Sequence, residues 1–99
     1  EQYVQILQLI YDTWNGAAWS VTGYLLGGVA VFLREYGEEY SRSRFIKRLR
    51  GATYETLRDE ARRQQRGSSD VAHALAIAKL YNLTGGRGTV DPRRLTVLD

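Results

Sequence analysis

Apolar residues recur every three to four positions along most of this chain. They fall into five stretches separated by Gly, Ser and Asn clusters. In the first, Tyr3, Leu7, Ile10, Tyr11 and Trp14 share one face with Ile6 beside them, while Gln5, Gln8 and Asp12 point away. That spacing predicts an amphipathic helix over 2–14, stopped by Asn15-Gly16. The second stretch, 20–36, carries Val21, Leu25, Val29, Phe32, Leu33 and Tyr36 as its stripe, with Ser20 as N-cap and Gly37 at its end. Gly23, Gly27 and Gly28 weaken this helix by up to about 1 kcal/mol each relative to Ala, so a neighbouring helix is expected to approach closely there.

A polar connection over 38–41 leads to a short third helix. Ser41 or Ser43 caps it, and Phe45, Ile46 and Leu49 form its inner face. Gly51-Ala52 reads as a tight turn. Thr53 caps a fourth helix, with Glu55 at the positive end of its dipole and Tyr54, Leu57 and Ala61 inward. Gly67-Ser68-Ser69 separates it from a fifth helix over 70–82. There only Asp70, His73, Lys79 and Asn82 are polar. A helix apolar nearly all round belongs in the middle of a bundle. No run alternates at period two, so a sheet is not expected. The expected fold is all-α, an orthogonal bundle of about five helices with 70–82 central. Residues 1–84 form the bundle, and 85–99 form a flexible Gly/Arg linker and tail containing Gly85-Gly86-Arg87-Gly88 and the helix-start pair Asp91-Pro92.

Ninety-nine residues suffice for one domain and one core. The chain has no cysteine, which excludes disulfides, thiol catalysis and thiolate metal sites. It also lacks methionine and opens at Glu1, which reads as a piece of a longer protein. Residues 14–33 carry no charge, a length that could span a bilayer. However, Asn15, Gly16, Ser20 and Thr22 dilute the first half, and the apolar run 24–33 is too short to cross. A buried helix is the better reading.

Charge then changes the picture. Residues 42–66 hold nine Lys/Arg against Glu55, Asp59 and Glu60, a local +6 in a chain whose total is +3. Such asymmetry points to a polyanion, with nucleic acid ahead of a membrane surface. The candidate DNA-contacting residues are Arg44, Lys47, Arg48, Arg50, Arg58, Arg62, Arg63 and Arg66. If about five of them each neutralise a phosphate, log affinity should fall against log salt with a slope near −4.5. The helix–turn–helix order invites comparison with a major-groove reader. Lys47 and Glu60 occupy positions that such a motif keeps apolar or small, so backbone contacts are expected instead.

No residues form a catalytic or metal-binding constellation, and no cofactor is expected. His73 lies alone between alanines and reads as a surface or core-edge residue. The adjacent carboxylates Glu38/Glu39 and Asp59/Glu60 read as solvated charges. The glycines at 85–88 lack the Lys-Ser/Thr of a phosphate-binding loop and read as a linker, with a DNA-tracking arm using Arg87, Arg93 and Arg94 as the alternative.

The order of a Trp-containing helix, VTGYLLGGVAVFLREYGEEY, RFIKRLRGATYETLRDEAR and an Ala-rich helix ending KLYN resembles a known family. It is similar to the C-terminal helical region of ParB-like (sulfiredoxin-fold, nuclease-type) proteins of actinobacteria and their phages. The resemblance covers roughly 7–88 and rests on Gly28, on 32–37, on Arg48-Leu49 and on Tyr81-Asn82. The family's nucleotide- and DNA-handling motifs belong to an N-terminal domain, so no catalytic residue carries over, and any nuclease or nucleotide chemistry would lie outside this chain. The resemblance implies a phage or plasmid protein acting on or near DNA in the cytoplasm of a bacterial host.

Together these readings predict a non-catalytic DNA-binding or DNA-positioning domain with no membrane contact. The alternative is a protein–protein interaction module, homodimerising or docking on a host protein through exposed aromatics and Gly23/Gly27.

Overall fold

A computed structural model describes residues 2–16, 23–38, 40–64 and 69–82. Among them are five helices, α1 (Gln2–Trp14), α2 (Gly23–Tyr36), α3 (Arg42–Leu49), α4 (Tyr54–Gln64) and α5 (Ser69–Tyr81), and no strand. Ser20, Val21, Arg66 and everything from 83 onward, including the expected linker and tail, lie outside the described residues.

Local chemistry sets the helix ends. Asn15 and Gly16 both take positive φ (53° and 73°), and the Gly16 N–H donates to the Tyr11 carbonyl at 3.2 Å. That bond is the six-to-one closure of a Schellman motif, which satisfies a carbonyl the helix leaves orphaned. Ser41 is the N-cap of α3, its hydroxyl accepting from the Arg44 N–H. Thr53 Oγ1 accepts from the Thr56 N–H at 3.1 Å at the start of α4. Short polar side chains do this well because they reach back to amides the first turn cannot pair.

The central element is α5, which packs against α2, α4 and α3. Its Val71, Ala72, Ala74, Leu75, Ala76, Ile77, Ala78 and Tyr81 are all buried. Its closest neighbour is α2, and two glycines make the approach possible. A Cβ on Gly28 would stand 2.7 Å from His73 Cβ and 3.3 Å from the His73 carbonyl carbon, and one on Gly27 would strike the Asp70 carboxylate. The glycines of α2 are therefore where α5 seats, as expected. Gly27 lies against the Asp70 side chain at the start of α5.

The core is aromatic. Phe32 lies at its centre, with ring centroids 5.3 Å from Tyr36, 5.6 Å from Phe45, 5.7 Å from Tyr81 and 6.3 Å from Tyr40. Trp14 meets Phe45 edge-on at 6.3 Å. Such tilted and edge-to-face pairs suit the ring quadrupole. Polar tips of these rings also fasten chain segments. The Trp14 indole donates to the Ala52 carbonyl at 3.2 Å, tying the end of α1 to the α3–α4 turn, and the Tyr81 hydroxyl accepts the Ser41 N–H at 2.8 Å.

One expectation about α1 needs correcting. Its buried face is Ile6, Leu9, Ile10, Thr13 and Trp14, whereas Tyr11 is 60% exposed. Two helical stripes coexist in this sequence. The one carrying Leu9 faces the core, and Thr13 joins it without an orphaned hydroxyl by donating to the Leu9 carbonyl at 2.7 Å. Tyr11 instead lies beside Gly16, over the turn that ends the helix.

Candidate nucleic-acid interface

The cationic segment divides between two helices that hardly touch each other. α3 packs on α1 and α5, and α4 packs on α5. In a helix-turn-helix the two helices pack together, so the likeness is one of chain order only. α4 lies across α5 at an alanine contact of Ala61, Ala72 and Ala76. One flank of α4, Tyr54–Arg58–Arg62, faces Ser69 and His73 near the start of α5. The other flank, Glu60, reaches Lys79 near its end.

The candidate cations fare differently. Lys47, Arg50 and Arg62 are exposed and form no ion pair among the described residues. Arg44 and Arg48 are half-buried on the flank of α3 that they share with Lys47, and the Arg48 Nη1 is enclosed without a hydrogen-bond acceptor. Arg58 bonds Asp59 at 3.3 Å and stacks over the Tyr54 ring, 5.6 Å from its centroid. Arg63 donates to Glu60 at 2.6 Å. Arg42 spends its charge on Asp12 of α1, which also accepts from Gln8. Arg66 lies outside the described residues.

Glu60 is not the solvated charge its neighbour Asp59 suggested. It is 5% exposed. Its carboxylate accepts from Arg63 at 2.6 Å, Lys79 at 3.1 Å and Gln64 at 3.1 Å. Burial pushes its pKa up, but the bonds from Lys79, Gln64 and Arg63 outweigh that and hold it below the ordinary carboxylate range. It thereby removes Arg63 from the cations available to a ligand. Its position one residue before the buried Ala61 was the signal for this, because adjacent positions at that edge of a helix can both turn inward.

Where α4 crosses α5 a groove of about 310 Å³ opens, lined by Tyr54, Arg58, Ala61, Arg62, Ser69, Ala72 and His73. None of these described lining residues is a carboxylate. The His73 Nδ1 donates to the Ser69 carbonyl at 2.8 Å, which fixes the ring and its tautomer. The sequence singles out Arg58 and Arg62 among eight candidate cations but does not single out Tyr54, Ser69 and His73 as their companions. The spacings 54/58/62 and 69/73 mark two flanks, yet nothing in either spacing says that they meet.

Among the described residues no group of three or more His, Asp or Glu could hold a metal ion, and no helix is long and apolar enough to cross a membrane. The chain matches no protein-family model, no curated protein and no solved structure.

Proposed function

We propose that this domain binds DNA through its sugar-phosphate backbone, as a non-catalytic positioning module using Lys47, Arg50 and Arg62 as its principal contacts. The observation that carries this reading is the concentration of charge. Three exposed cations within sixteen residues form no ion pair among the described residues, in a segment far more basic than the whole chain. Unpaired Lys and Arg at a surface release counterions when they meet phosphates, and that release drives sequence-independent binding. Arg44 and Arg48 add to the field from half-buried positions, and Arg58 and Arg63 contribute less because Asp59 and Glu60 pair with them. The resemblance to the helical region of ParB-like proteins supports the same context, a protein working beside DNA in a bacterial cytoplasm.

Pairing within the fold lowers the expected salt dependence. With three phosphates neutralised instead of five, the log–log slope is about −2.7, a loss of about 40-fold between 50 and 200 mM salt. Titration of a labelled duplex at the two salt concentrations measures it. Lys47→Glu, Arg50→Glu and Arg62→Glu together should abolish retardation of the duplex in a gel. Retardation unchanged by the triple substitution would overturn the proposal. Light scattering on the same samples tests the competing role in protein association, since a dimer that does not bind duplex favours that role.

A further inference from the structure

We infer that the groove between α4 and α5 is a subsite for one phosphate-bearing nucleotide of a DNA strand. This rests on the DNA reading above and assigns a place within that surface. Arg58 and Arg62 of α4 line one side of the groove; Arg58 is bonded to Asp59 at 3.3 Å, which leaves Arg62 as the cation open to a ligand, and no carboxylate is among the described residues that line the groove. Arg62 has no internal partner among the described residues, so its fork of donors is available to a phosphate. Ser69, in the first turn of α5, lines the groove from the other helix.

A base also finds a surface. The Arg58 guanidinium already lies over the Tyr54 ring. A cation beside an aromatic ring is the kind of surface on which bases rest in nucleic-acid sites, and here the two are together before any ligand arrives. The groove volume, about 310 Å³, lies at the small end of ligand sites and suits a single nucleotide better than a longer segment. The aromatic and cationic platform favours a nucleotide over a phosphate carried on a protein or a lipid.

The test uses the full chain and three probes: a short 5′-phosphorylated single-stranded oligonucleotide, the same oligonucleotide without the phosphate, and inorganic phosphate. NMR shifts of Tyr54, His73 and the Arg62 side chain report on the groove, and shifts of Lys47 and Arg50 report on the remaining surface. The proposal expects the phosphorylated strand to move the groove signals at the lowest concentration. Arg62→Ala should weaken its binding about tenfold or more, the scale of one charge-assisted hydrogen bond, with an unchanged Tm. If the groove signals stay still while Lys47 and Arg50 respond, the subsite is overturned and the DNA reading stands. Equal response to inorganic phosphate overturns the nucleotide assignment and leaves a general anion site. No response to any probe at low salt, together with no binding of duplex, removes both.

Discussion

A buried carboxylate gives the sharpest prediction at the scale of single residues. Glu60 is enclosed, yet its two charged partners are largely in water, with the Arg63 and Lys79 side chains 66% and 57% exposed. Removing the carboxylate therefore strands no buried cation. Glu60→Gln should cost about 1–2 kcal/mol at neutral pH through weakened bonds to the three donors. Glu60→Met, similar in length and apolar, should fall within about 1 kcal/mol of the parent, because a well-packed apolar side chain avoids the desolvation cost of the ion. The folded-state pKa lies below the ordinary 4.5. The stability Glu60 contributes is thus complete above that value and is lost as pH falls through the lower folded-state value. Urea midpoints measured from pH 7 to pH 3 should converge for the parent and Glu60→Gln in acid. A constant gap would show that this carboxylate's charge does not matter to stability.

At the scale of elements, the seating of α5 on α2 is decided by two neighbouring glycines with different tolerances. A methyl group at Gly28 would press on the His73 Cβ and on α5 backbone, neither of which can swing aside. Overpacking of this kind costs about 1–3 kcal/mol, and the gain in helix propensity offsets up to about 1 kcal/mol of it. Gly28→Ala should therefore destabilise by about 1–2 kcal/mol. At Gly27 the nearest obstacle is the exposed carboxylate of Asp70, which can rotate into water, so Gly27→Ala should cost less than Gly28→Ala and lie close to neutral. Chemical denaturation of the two variants checks the ordering, and an equal loss from both would refute it. The three glycines of α2 made a close contact legible in the sequence. That Gly27 and Gly28 meet Asp70 and His73 depended on where α5 crosses.

Across the whole molecule, Phe32 joins α2 to Phe45 of α3 and Tyr81 of α5, and the Trp14–Phe45 contact extends the cluster to α1. Phe32 is fully buried. Phe32→Ala should cost about 3–5 kcal/mol, a large share of the roughly 5–15 kcal/mol that holds a domain of this size. A fall in Tm of about 15 °C or more is expected by calorimetry, and a shift of only a few degrees would mean that the cluster is not the keystone of the core.

What the sequence determined by itself follows from short-range physics. Helix positions, a serine cap at 41 or 43, the Thr53 cap, the Asn15-Gly16 stop and the apolar girth that places α5 in the centre all depend on residues within two turns of one another. Tertiary structure decided what depends on residues far apart. It turned Leu9 inward and left Tyr11 outside, enclosed Glu60 between α4 and α5, put Asp70 against Gly27, and set Ser69 and His73 beside Arg58 and Arg62. A count of charges along a chain does not say which of them will be neutralised: Arg58–Asp59 and Arg63–Glu60 pair within α4, but Arg42–Asp12 and Lys79–Glu60 pair only because two helices bring their members together.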